Sequence, residues 1–226
     1  AEALLRWTDQ GQAIRPDVFI RVAEESGLID ALGKMVMHQS LQQLKQWLPS
    51  LPPGFRLSVN LSPRQFRATV VDMDWLSAIG LYGVPCANLA LEVTESVLLD
   101  ADGSAIQALA RLRQAGIEIA LDDFGTGYSS LSYLSVLELD VLKIDKSFVM
   151  GLTVQSTAGK PDRSTAVVDA TLAMAHKLGY RVVAEGVETA AQHQWLRQQS
   201  CDVVQGYLFS PALPPTDFAA RYLAGA

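Results

Sequence analysis

Six acids stand at or just after the ends of short apolar runs: Glu2, Glu92, Asp122, Asp123, Asp145 and Glu185. Asn60 and Gln205 occupy equivalent depths in runs of their own. Gathering that many like charges is unfavourable unless cations offset them. Carboxylates joined by amide oxygens suit hard ions such as Mg2+ or Mn2+. Zinc usually recruits His or Cys, and His38, His176 and His193 all fall in helix-patterned segments. Two ions sharing Asp122 would activate a water and stabilise a leaving oxygen, as two-metal phosphoryl chemistry requires. Residue types alone leave other readings open. With Lys143, the same acids permit a different barrel metalloenzyme, such as an enolase-like lyase acting on a carboxylic acid. Any single strand-end acid also fits a helix cap or a surface charge, and Lys143 fits a structural counter-ion to Asp145. Phe124-Gly125-Thr126-Gly127-Tyr128 fits an ordinary turn. Beside Asp122 and Asp123 it reads instead as a mobile lid.

The elements that must position these residues alternate between short aliphatic runs and longer helical patterns. Strands are predicted over Ala1–Trp7, Phe55–Leu61, Leu89–Glu95, Ile117–Asp122, Leu139–Asp145, Arg181–Val187 and Asp202–Tyr207, all rich in Val, Ile and Leu. Pro16 opens a helix with Val18, Phe19, Val22 and Ala23 on one face and Gly27 as its stop. Ile106, Leu109 and Leu112 continue a second pattern up to Gly116. Val167, Val168, Thr171, Leu172, Ala175 and Leu178 form a third face ending at Gly179. Thr189 with Gln192 three residues later fits a capping box. Such alternation, repeating every ~30 residues, argues for βαβ units and a parallel sheet.

Parity sharpens this. Ser58, Asn60 and Ser62 oppose Leu57, Val59 and Leu61; Glu92 and Thr94 oppose Leu91 and Val93; Lys143 and Asp145 oppose Leu142 and Ile144. Glu118, Ala120 and Asp122 likewise oppose Ile117, Ile119 and Leu121. Strands with one aliphatic face and a polar C-terminal end suit an α/β fold of the TIM-like (β/α)8 barrel type, whose sites lie at the strand C-termini. An open doubly wound sheet is the rival and would collect its site at one crevice.

Composition sets the bounds. The 226 residues carry 49% hydrophobic and 19% charged side chains, the profile of a folded chain rather than a disordered one. A net charge of −6 argues against gripping duplex DNA through a general basic surface. Cys86 and Cys201 make no disulfide framework, which points to a reducing, cytoplasmic setting. No apolar run reaches the length of a membrane span. No shift of composition marks a linker, so residues 1–226 read as one domain, with the polar stretch Thr153–Arg163 as a surface loop.

The motifs resemble those of the EAL family of bacterial cyclic-di-GMP phosphodiesterases. Glu2-Ala3-Leu4 matches the signature tripeptide. The other matches are Ser58–Ser62, Leu91–Ser96, Asp122–Leu131, Leu142–Asp145, Ala184–Thr189 and Gln205–Tyr207. The resemblance runs through essentially the whole chain in order. It implies hydrolysis of one phosphodiester bond of cyclic-di-GMP to linear pGpG, with Mg2+ or Mn2+ and two ions per site. It implies that Glu2, Asn60, Glu92 and Asp122 ligate one metal and that Asp122, Asp123 and Glu185 neighbour a second. Lys143, Asp145 and Gln205 would hold waters or the nucleophile, Glu185 would serve as general base, and Arg6 would reach a substrate phosphate. Glu95 would anchor the lid (Gly125, Thr126 and Gly127), and Glu188 would support the site from behind. The alternative is a non-catalytic cyclic-di-GMP receptor of the same fold, although such receptors usually lose ligands that this chain retains. Family members also carry a strand before the signature, with a Gln-Pro-Ile-like segment that this sequence lacks. Either the barrel is incomplete at that edge or the protein continues upstream, into sensory or cyclase domains, and the second is expected; the resemblance also implies a homodimer.

Overall fold

A computed structural model describes residues 1–67, 71–99, 103–126, 138–152 and 163–224. It divides into two compact units, Ala1–Glu118 with Leu213–Ala226, and Ile119–Ala212.

In the first unit, β1 (Glu2–Ala3), β4 (Leu57–Leu61) and β5 (Leu89–Thr94) pair in parallel. Between them run β2 (Trp7–Asp9), β3 (Gln12–Ile14), α1 (Pro16–Ser26), α2 (Ile29–Trp47) and α3 (Val71–Tyr82). α4 (Ser96–Leu99) and α5 (Ser104–Gln114) follow β5. The predicted first strand is shorter than expected. Only Glu2 and Ala3 join the sheet, and Trp7 opens an antiparallel hairpin, with Asp9 paired to Gln12. Its two turn residues, Gln10 (φ 46°) and Gly11 (φ 82°), have the left-handed backbone that matches a hairpin's twist.

The predicted helix at Pro16 is present and ends on Gly27. Its buried stripe is narrower than the apolar pattern: Phe19 and Ala23 are covered, whereas Val18 and Val22 are exposed. The stripe follows residues four apart, and a position one residue earlier is turned ~100° away from it.

In the second unit, β6 (Glu118–Phe124, all but its first residue), β7 (Val141–Ile144), β8 (Arg181–Ala184) and β9 (Val203–Val204) pair in parallel, each with the next. The helices are α6 (Lys146–Met150), α7 (Arg163–Lys177) and α8 (Ala190–Gln198). Leu121, Leu142, Val182 and Ala184 are fully buried, as are Val168 and Ala175 of α7, so the aliphatic strand face and one helix stripe make the core. The capping box expected at Thr189 and Gln192 is formed. The last helix, α9 (Pro215–Tyr222), belongs to the first unit, where Phe218 lies 5.2 Å from the Trp47 ring and 6.3 Å from Phe55. Both cysteines are free thiols, as expected. Among the described residues, no helix is long and apolar enough to cross a membrane. Residues 153–162 of the predicted surface loop, and Gly127, lie outside the described residues.

Candidate active site

In the first unit, regular pairing delivers the predicted ligands. Glu2 stands opposite Ser58 and Asn60 opposite Glu92, one strand to the next. The Asn60 amide Nδ2 donates to Glu2 Oε1 at 2.8 Å. Glu92 is only 3% exposed, whereas Asn60 is open to solvent. Parity accounts for the shared face, since Glu2 pairs with Ser58, Asn60 lies two residues further along the same strand face, and Asn60 pairs with Glu92. Arg6 lies beyond β1, exposed, with its guanidinium donating to the Leu5 carbonyl at 2.9 Å. Glu95, directly after β5, is half-buried.

The second unit holds the denser cluster. One carboxylate oxygen from each of Asp122, Asp123 and Glu185 lies within 4.8 Å of the other two. Simple alternation would send Asp122 and Asp123 to opposite faces, but β6 carries a bulge. Leu121 pairs with Leu142, yet Phe124 pairs with Ile144, so β6 spends three residues where β7 spends two. Asp123 absorbs the extra residue with a left-handed backbone (φ 54°), a conformation Asp tolerates better than most residues. Its amide donates to Asp122 Oδ1 at 2.9 Å. Thr126 closes the turn from the other side, its amide and hydroxyl both donating to the Asp123 carbonyl, at 3.2 and 2.9 Å. Gly125 follows with φ 96°, and a Cβ there would come within 2.9 Å of the Phe148 ring.

Lys143 supplies the cation that makes this cluster tolerable. Its side chain is 3% exposed, and Nζ lies 3.1 Å from Asp122 Oδ1 and 2.6 Å from Glu185 Oε1. Buried acids this close are stable only when paired and hydrogen-bonded, and Gln205 Nε2 adds a donor to Glu185 Oε1 at 2.8 Å. Desolvation, then the charges of Asp122 and Asp145, push the Asp123 carboxyl above its ordinary range, although Lys143 and Lys146 oppose them. Gln205 sits just past β9, and its backbone is fixed at both ends: its amide donates to Ala184 and its carbonyl accepts from Val187. The next residue must be Gly206, because a Cβ there would fall 2.2 Å from the Val187 carbonyl oxygen.

Asp145 is buried and caps α6. Its Oδ1 accepts from the Ser147 amide at 3.0 Å and from the Ser147 hydroxyl. The alternative reading of a strand-end acid as a helix cap therefore holds here, together with a place beside the cluster's charges. Glu188 is exposed, and its amide donates to Gln192. Sequence reasoning missed Ser147 as the holder of Asp145. The signal was a hydroxyl two residues after an acid at a strand end, the spacing of an Asx-type turn.

The EAL domain family model matches residues 1–212. The chain belongs to the EAL family. Cyclic di-GMP phosphodiesterase NbdA of Pseudomonas aeruginosa is 41% identical over 215 residues, covering 94% of this chain and 27% of that protein. Probable cyclic di-GMP phosphodiesterase PdeB of Escherichia coli is 40% identical over 219 residues, covering 96% of this chain and 40% of that protein. This EAL chain thus spans well under half the length of these curated relatives. Among solved structures, PaMucR Phosphodiesterase in its c-di-GMP complex matches with a TM-score of 0.85 at 35% identity, over 96% of this chain and 90% of that one. The α/β fold class expected from the sequence, of the TIM-like barrel type, is shared with these EAL domains.

Proposed function

We propose that this EAL chain hydrolyses one phosphodiester bond of cyclic di-GMP to give linear pGpG. The carrying observation is the trio Asp122, Asp123 and Glu185 gathered beside the buried Lys143 ammonium. The names of NbdA and PdeB supply the substrate, and PaMucR was solved with c-di-GMP. The trio fits a hard divalent cation, because its donors are all carboxylate oxygens without His or Cys. Asp122, Asp123 and Glu185 would hold it in the second unit; Glu2, Asn60 and Glu92 are the proposed ligands in the first. We assign Mg2+ or Mn2+, two ions per site. When bound, such ions polarise a phosphoryl oxygen and make water acidic enough to attack.

The chain's own groups do the rest. Glu185 takes the proton of the attacking water, whose oxygen adds to phosphorus as one ester P–O bond breaks, and the departing sugar oxygen takes up a proton from solvent to become a hydroxyl. Lys143 offsets the charge of Asp122 and Glu185, and Gln205 and Asp145 orient the water. Arg6 binds a substrate phosphate. The domain works as a homodimer in the bacterial cytoplasm, attached to upstream sensory or cyclase domains.

Incubation with cyclic di-GMP and Mg2+ or Mn2+ yields pGpG by chromatography, chelation stops it, and Asp122→Asn lowers turnover by at least ~100-fold. Tight binding with no product under either metal overturns the reading in favour of a receptor.

A further inference from the structure

We propose that Gln192 is a positioning residue that locks the two acid-bearing loops of the second unit to one another. Its catalytic consequence rests on the phosphodiesterase reading; the lock itself does not.

Asp145 follows β7 and opens α6, whereas Glu185 follows β8 and leads into the turn before α8. Gln192 is the third residue of α8 and is buried. The capping box needs only its acceptor: Oε1 takes the amides of Glu188 at 2.9 Å and Thr189 at 3.0 Å. A carboxylate would serve equally at that position, because Glu and Gln are interchangeable in a capping box.

The donor half of the amide does something a cap does not require. Nε2 donates to the Val149 carbonyl at 3.1 Å, a buried bond spanning 43 residues of chain. Val149 lies in α6, the helix that Asp145 caps. One side-chain amide therefore joins the loop of Glu185 to the helix of Asp145. A second contact shows how closely the loops approach, since a Cβ on Gly186 would fall 2.5 Å from Lys146 Cβ. The spacing of the two carboxylates is thus set partly by a residue that touches neither. A bond in a dry setting resists opening more than an exposed one, and such supporting contacts orient the groups that act.

Two variants separate lock from cap. Gln192→Glu keeps the acceptor and the capping box but loses the donor, setting a carboxylate oxygen against the Val149 carbonyl. Gln192→Met loses both. Amide exchange followed by mass spectrometry should quicken over residues 146–152 in Q192E while 188–192 stay protected; in Q192M both segments should quicken. With cyclic di-GMP and Mg2+, Q192E should lower kcat about 10- to 100-fold and leave KM nearly unchanged. Wild-type exchange over 146–152 in Q192E overturns the lock. Altered exchange with wild-type kcat overturns its positioning role. If the unmodified chain makes no pGpG, the phosphodiesterase reading fails separately, and the exchange pattern still decides the lock.

Discussion

The two units present their acids by different means. In the first, Glu2, Asn60 and Glu92 sit on strands in regular parallel register, and two-residue alternation suffices to bring them to one face. In the second, almost every site residue depends on a departure from regularity. Asp122 and Asp123 need a bulge, Asp145 a helix cap, Gln205 a glycine that lets two backbones touch, and the whole group a buried lysine. Regular strands place polar groups at little structural cost, but only one residue in two. Irregular backbone places more groups in less space, and each then becomes a structural member as well as a chemical one.

Substitutions should expose that difference. The largest effect is expected from Lys143→Met, which leaves buried carboxylates uncompensated. Stability in urea should fall by about 3–5 kcal/mol without metal, with part of the loss recovered in excess Mg2+. Gly206→Ala should come next, at about 2–4 kcal/mol, because its Cβ meets backbone that cannot swing aside. If this variant unfolds at the wild-type urea midpoint, the claim that the second unit relies on special backbone is wrong.

Asn60→Ala tests the first unit. It should cut turnover about tenfold or more while stability, measured the same way, stays within about 1 kcal/mol, since the residue is exposed and its strand regular. A stability loss as large as that of Lys143→Met would erase the contrast. The smallest effect concerns protons. The raised Asp123 pKa means the metal-free folded state holds that proton more tightly than the unfolded chain. This contribution to stability is complete below the ordinary carboxylate value and is lost as pH rises through the shifted one. Asp123→Asn should accordingly stabilise the metal-free protein near neutral pH, with the gain shrinking as pH falls through the carboxylate range; a gain independent of pH would sink the explanation.

The same contrast explains what the sequence disclosed. Hydrophobic runs and parity located the strands that carry Asn60, Glu92 and Asp122, because side-chain alternation is a property of residue order. The helix starts at Pro16 and Thr189 were readable for a similar reason, since caps are local chemistry. Alternation gave no account of how Asp123 joins Asp122, because a bulge violates the rule that made the rest readable. It also extended the first strand to Trp7, where a turn built on Gln10 and Gly11 starts a hairpin. The tie from Gln192 to Val149 spans two loops far apart in sequence, and only its capping half left a local mark.

The bulge in β6 also fixes a phase. Leu121 and Phe124, three residues apart, pair with Leu142 and Ile144, and all four are buried. Removing either Asp122 or Asp123 would therefore do more than delete a charge. It would close the bulge: Phe124 would keep its place opposite Ile144, two residues after Leu121, and plain alternation would leave room for one carboxylate where there are now two. At this point in the chain, length is as much a part of the site as chemistry, and a single-residue deletion should cost turnover far more than it costs the fold.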